Sequence, residues 1–132
     1  LIIKETYQKN KGISFFTKND ANQQIGFMSH PKNYEIKPHK HQKRETKIFL
    51  TSEVIIIQKG KLRVDFYNDT TKYLFSVVLK KNQIIMLVHG AHGFKVLQDV
   101  KMLEIKQGPY KLSKDKIKFN EVDEKKIRIK KI

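Results

Sequence analysis

The sequence has no cysteine in its 132 residues, which excludes a disulfide framework, a thiolate-held zinc or iron–sulfur centre and a thiol nucleophile. Any metal is left to His, Asp or Glu. No apolar run approaches the roughly 18 residues of a membrane-spanning helix, and the opening Leu1 to Lys11 is too charged for the core of a signal peptide. With nothing else addressing the chain to an organelle or membrane, the cytoplasm is the expected compartment. Arginine is scarce. Of 28 basic residues only Arg44, Arg63 and Arg128 are arginine, leaving 25 lysines, whereas phosphate forks and base readers favour the planar guanidinium. The lysines are also interspersed with acids, as in Lys114-Asp115-Lys116 and Asp123-Glu124-Lys125-Lys126, so the net charge of +15 reads as a solvated surface ahead of a nucleic-acid face. Repeats, low-complexity linkers and amphipathic helices are missing as well.

What is present, 39% apolar residues beside 31% charged ones, suits one globular domain with one core. The apolar runs are short and rich in Val, Ile, Phe and Tyr, and turn residues interrupt them every eight to twelve positions or so, the spacing of an antiparallel sandwich or barrel. The predicted strands are 13–17, 24–29, 34–41, 53–58, 61–67, 73–79, 84–88, 93–97 and 101–106. Lys59-Gly60, Asn68-Asp69-Thr70, Lys81-Asn82-Gln83 and Gln98-Asp99 are the expected turns. In Lys61 to Tyr67 the apolar Leu62, Val64 and Phe66 alternate with Lys61, Arg63 and Asp65, predicting one buried and one wet face, with Arg63 on the wet one. Val54-Ile55-Ile56-Ile57 is apolar on both faces and needs cover from two sides, either another layer of the same chain or a partner subunit. A homodimer packed through this strand is the economical expectation. After Tyr110 the composition turns polar and lysine-rich, and residues 111–132 are expected as an extension that ends in an edge strand or a short helix.

Chemistry is sought first among the histidines. Pro38-His39-Lys40-His41 puts two imidazoles at i and i+2, which on a strand share a face, as two metal ligands of a sheet do. His92 lies between Gly90 and Gly93, where the backbone can turn tightly just before another strand.

This order of events, a His-x-His, a buried run ending in Gly60, and a glycine-flanked His92, resembles the cupins over about Gly26 to Tyr110. The first cupin motif is matched in its second half by Glu53, since six residues separate it from Gly60, although eleven residues lie between His41 and Glu53. Glu45 has the short spacing from His41, but six further residues lead to Ser52. Glu53 is preferred because it opens a buried run on the face of Ile55 and Ile57, while Glu45 belongs to a polar stretch that reads as a lengthened hairpin. The second motif appears as Asn82, Val88, Gly90 and His92, with Asn for Gly, Val for Pro and one residue fewer before the histidine. Phrases such as Gly60 to Tyr67 and Glu104 to Tyr110 are similar to those of small single-domain bacterial cupins akin to sugar-modifying ones of surface-polysaccharide pathways.

The resemblance implies an all-β, cupin-type double-stranded β-helix, a jelly-roll barrel over 1–110, followed by the polar C-terminal extension 111–132. It further implies a divalent metal (Fe, Mn, Ni or Zn) on His39, His41, Glu53 and His92, with His89 as a possible acid or base. Arg44, Lys106 and Tyr110 are the candidate substrate-binding residues. The expected activity is isomerase-, epimerase- or dioxygenase-type chemistry on a small polar metabolite such as a sugar or nucleotide-sugar. The alternative is a non-catalytic module that binds a sugar or small ligand, and nucleic-acid binding is a distant third.

Overall fold

β-Branched and aromatic side chains punctuated by Asn, Asp and Gly build strands here, and the computed structural model, which describes residues 1–109 and 115–132, contains no α-helix among them. No helix is long and apolar enough to cross a membrane among those residues. The strands are β1 (Ile2–Ile3), β2 (Gly12–Phe15), β3 (Gly26–Ser29), β4 (Glu53–Tyr67), β5 (Tyr73–Lys80), β6 (Ile84–Leu87) and β7 (Ala91–Lys106). They belong to two compact units, the first made of Leu1–Glu5 with Leu50–Ile132 and the second of Thr6–Phe49.

The first unit is organised around β4. Along one edge β5 pairs with residues 61–67 and β6 with residues 53–56, both antiparallel. Along the other edge runs β7, antiparallel over the whole length of β4. β1 adds to β6 through Ile2↔Ile85 and Ile3↔Ile84. The sequence reading splits β4 in two at a Lys59-Gly60 turn, and the structure corrects this. Gly60, at φ +85°, is a bulge inside one strand, and the β4–β7 register shifts between Ile57 and Leu62. The extra residue changes the parity of the buried positions, from Ile55 and Ile57 before it to Leu62 and Val64 after it, so the same face stays inward. Those four join Val77, Leu79, Ile85 and Leu87 in the core. β7 likewise joins the two strands expected at 93–97 and 101–106. Asn82, standing where the motif has glycine, adopts φ +66°, and the β5–β6 turn closes on β4 through Asn82 N–H to the Ile57 carbonyl at 2.7 Å.

The bulge also folds the sheet back on itself. Glu53 pairs opposite Lys106 and His92 opposite Phe66, 13 positions apart on β4, which straight strands would hold about 43 Å apart. Yet the side chains of Glu53 and His92 are in hydrogen-bond contact at 3.0 Å. The paired strands therefore double over near Gly60, forming a curled half-barrel with its core inside and bringing Glu53 and His92 into contact.

Two further expectations change. The face of Lys61–Tyr67 expected to be wet is covered: Arg63 and Asp65 are buried, because the C-terminal segment lies over them and supplies Glu124 as an ion-pair partner. Val54 is buried within the chain and Ile56 half-buried, so this strand's two-sided apolarity is met largely by the chain itself. β7, by contrast, leaves apolar side chains exposed, among them Val96, Leu97, Leu103 and Ile105. In the extension, Asp123 caps a short 3-10 turn at Glu124–Lys126, and Ile129 bridges to Ser76 in parallel, the backbone of residue 130 donating to the Ser76 carbonyl at 2.8 Å.

The second unit is a β2–β3 hairpin paired Gly12↔Ser29 to Phe15↔Gly26. Edge-on contacts of Tyr7 with Phe16 and Phe27, at 4.7 and 5.2 Å between ring centroids, form its small aromatic cluster. The strand expected at 34–41 does not form. The chain is irregular from Glu35 to Phe49 and exposed throughout. Pro38 lacks an N–H for a ladder, and the lysine-rich run has no alternation that would bury one face.

Candidate functional site

The site is built in the first unit, where the first residue of β4 meets the second of β7. Glu53 opens β4 with its carboxylate on the inward face shared by Ile55 and Ile57, and its side chain is only 7% exposed. His92, two residues past Gly90 at the start of β7, reaches it: Nε2 lies 3.0 Å from Glu53 Oε2. Gly90 makes this approach possible, because its φ is +76° and a Cβ there would stand 2.7 Å from the carbonyl oxygen of Tyr67. The second carboxylate oxygen, Oε1, has two ammonium groups at 3.9 Å, those of Lys106 and Lys116. Lys106 is in turn ion-paired and hydrogen-bonded to Asp115, which holds its ammonium above the ordinary value of 10.5 against the opposing effect of desolvation. Lys106 is therefore a cation throughout the neutral range.

These groups line a cavity of about 300 Å³ together with Thr51 and the rings of Phe94 and Phe119. A second cavity of similar size adjoins it, sharing His92, Phe94, Lys116 and Phe119 and extending to Arg63 and Lys95. Arg63 is occupied there. Its guanidinium donates to Asp65 at 2.8 and 3.1 Å and to Glu124 at 2.6 and 3.0 Å, and these partners hold it charged far beyond the neutral range. Ser76 Oγ donates to Asp65 at 2.5 Å, completing a buried network that pins the C-terminal segment against the sheet. Val122 N–H to Tyr67 Oη at 3.2 Å and Arg128 to the Leu74 carbonyl at 2.6 Å add to it.

Of the residues singled out in the sequence, Glu53, His92 and Lys106 come together. His89 is on the surface beside Asp69, at 3.5 Å, with 68% of its side chain exposed. His39, His41 and Arg44 belong to the second unit. There the two imidazoles make an edge-on pair with centroids 5.4 Å apart, and His39 Nδ1 contacts the Lys37 carbonyl at 3.0 Å. Arg44 lines a separate cavity of about 170 Å³ with Asn19, Asp20 and Thr46. Glu45 is exposed. Tyr110 lies outside the described residues. His30 stacks on Tyr34 at 4.2 Å.

Sequence reasoning passed over Lys116, Asp115 and Phe119. They stand in a polar segment without periodicity, and the one clue available was the pair of acids and apolar residues spaced among its lysines. Among the described residues, no three His, Asp or Glu side chains form a group able to hold a metal ion. In comparison with known proteins, the chain matches no protein family, no curated protein and no solved structure.

Proposed function

We propose that the chain is a cupin-type jelly-roll protein whose Glu53–His92 pair is the reactive centre of an enzyme acting on a small polar metabolite of the sugar or nucleotide-sugar class. The observation that carries the reading is a buried carboxylate hydrogen-bonded to an imidazole at the wall of a cavity large enough for a sugar ring. In that pair the carboxylate fixes the His92 ring through Nε2, leaving Nδ1 as the nitrogen that exchanges a proton with a substrate. A proton taken by His92 from a carbon beside a carbonyl and returned to the other face or the neighbouring carbon is an epimerisation or isomerisation. The ammonium of Lys106 supplies positive charge for the enolate oxygen formed between the two transfers.

The lining supports the substrate class. In a chain of net charge +15, the first cavity carries two lysines, Lys106 and Lys116, against two carboxylates, Glu53 and Asp115, so its formal charges cancel. A balanced set of donors and acceptors flanked by Phe94 and Phe119 suits a neutral, hydroxyl-rich ring whose C–H faces pack on aromatic rings. A metal is a different matter. The first unit alone offers Glu53 and His92, two of the four expected donors, and this set does not fit a four-donor centre. No step of the reaction is routed through an ion.

The test is solvent exchange. Incubated in D2O with a panel of free and nucleotide-linked keto- and aldo-sugars, the protein is expected to wash deuterium into one carbon position, read by loss of its proton resonance, and Glu53→Gln is expected to stop it. Saturable sugar binding with no exchange and no product would replace the enzyme with a sugar-binding module, and absence of both would overturn the reading.

A further inference from the structure

β7 is 16 residues long, and among the described residues it pairs only with β4, so its other edge carries no strand. Residues 94–105 are exposed with the single exception of Val100, and the two cavities of the site reach β7 only at residues 91–95 and at Lys106. An edge of this length whose Leu97, Leu103 and Ile105 are each about half exposed, at 47%, 48% and 46%, is a template for a further strand. The pairing with β4 fixes which of its side chains share a face. Val96 and Met102 stand opposite the core residues Leu62 and Ile57, and Val100 packs against the same core, whereas Lys95, Leu103 and Ile105 stand opposite Arg63, Ile56 and Val54. Even positions are therefore inner and odd positions outer, which makes Leu97, Asp99, Lys101 and Leu103 one outer row. Asp99 and Lys101 have no ion-pair partner among the described residues.

Two copies of one strand that pair antiparallel are related by a two-fold axis perpendicular to the sheet. Opposed side chains must then share a face, so the axis passes through a residue, and each choice of axis residue is a different register. With the axis on Asp99 or on Lys101, that residue meets its own copy, like charge against like. On Gln98, Lys95 meets Lys101 and Leu97 meets Asp99. On Met102, Lys101 meets Leu103 and Asp99 meets Ile105. On Val100, Asp99 meets Lys101 at two symmetric places, Leu97 meets Leu103 at two more, and Val100 meets its own copy. We infer that a second copy of this chain adds to the free edge of β7 in this last register, with the two-fold axis at Val100 and a contact running from Leu97 to Leu103. The axis falls where β7 doubles over, so both copies curl toward the same side and the sheet continues from one to the other. The contact stops short of His92, Phe94 and Lys106, the β7 residues of the first cavity, and does not depend on the proposed enzyme.

The test combines cross-linking with charge exchange on the full chain. The sequence has no cysteine, so an introduced one pairs only with its own copy. Val100→Cys lies on the axis, where directly opposed Cα atoms are about 4.5–5.5 Å apart, and should cross-link the dimer under mild oxidation. Asp99→Cys and Lys101→Cys lie off the axis, each opposite a different residue, and should cross-link about tenfold more slowly or not at all. Sedimentation of the wild type is expected to show a dimer. Lys101→Asp sets two carboxylates face to face at both symmetric places and should weaken that dimer about tenfold or more, while Asp99→Lys/Lys101→Asp restores the pairs with their signs exchanged and should recover most of the affinity. A wild-type monomer at high micromolar concentration overturns the inference, whatever else then covers the edge. Faster cross-linking of Asp99→Cys or Lys101→Cys than of Val100→Cys overturns it too, as does a Lys101→Asp dimer of unchanged affinity. Circular dichroism establishes the fold of each variant. Asp99 and Lys101 are exposed, so their charge variants carry the test should Val100→Cys, whose side chain packs on the core, not fold.

Discussion

Replacing Asp65 probes the network that ties the C-terminal segment to the sheet and so holds one wall of the site. Its carboxylate accepts from Arg63 Nε at 2.8 Å, from Arg63 Nη2 at 3.1 Å and from Ser76 Oγ at 2.5 Å, and all three residues are buried. Removing one member of a buried ion pair costs about 3–5 kcal/mol, chiefly because the other charge is left without a partner. Arg63 keeps Glu124 at 2.6 and 3.0 Å, and Ser76 keeps the Tyr73 hydroxyl at 2.7 Å, which places Asp65→Ala at the lower end, about 3 kcal/mol. Arg63→Met, which strands Asp65, is expected to cost a similar amount. The double variant Arg63→Met/Asp65→Ala leaves no buried charge at either position and should fall short of the sum by about 2 kcal/mol. Urea unfolding at neutral pH, extrapolated to water for the wild type and the three variants, gives the coupling directly. An Asp65→Ala loss under about 1 kcal/mol, or strict additivity in the cycle, would refute the buried network as described.

Gly60→Ala would place a Cβ 2.0 Å from the Asp99 carbonyl oxygen at φ +85°, so it should cost about 2 kcal/mol or more and speed amide exchange on both sides of the β4–β7 fold; wild-type exchange would mean the bulge is absent. Glu124 has its carboxyl held below the ordinary 4.5 by the hydrogen bond and charge of Arg63. Because the folded value is the lower one, its contribution is present in full above pH 4.5 and is lost as pH falls through the folded value, and Glu124→Gln should flatten the acid limb of the stability curve in that window. An unchanged acid limb would contradict the ion pair. The homodimer, no longer required by Val54–Ile57, is tested on β7: light scattering should give a dimer that Val96→Lys/Leu103→Lys converts to monomer, and a wild-type monomer would dismiss it.

The legible parts of this molecule were those governed by local patterning. Every strand of the first unit after Leu50 coincides with an alternating or wholly apolar run, and the acid that opens the buried run, Glu53, is the one found inside, while Glu45 is exposed as its polar surroundings suggest. What failed depended on contacts distant in sequence. Lys59-Gly60 looks like a hairpin turn because glycine at positive φ serves turns and bulges alike, and only the pairing of β7 along all of β4 distinguishes them. Arg63 and Asp65 alternate with core residues as wet-face residues do, and their burial depends on Glu124, 61 residues downstream in a segment with no periodicity. Lys116 was hidden for the same reason. The His-x-His at 39–41 carries the strand-like spacing of two ligands, yet Pro38 and the surrounding charges give the backbone no ladder to join.

The central claim is that Glu53 and His92 act as one proton-transferring unit, and the most direct measurement is a double-mutant cycle on kcat/KM for the sugar that exchanges deuterium. Groups that work together are not additive: Glu53→Gln and His92→Asn should each lower the rate by about a hundredfold or more, and the double variant should be little worse than either. Multiplicative losses in the double variant, or full activity in either single variant that remains folded, would contradict the account.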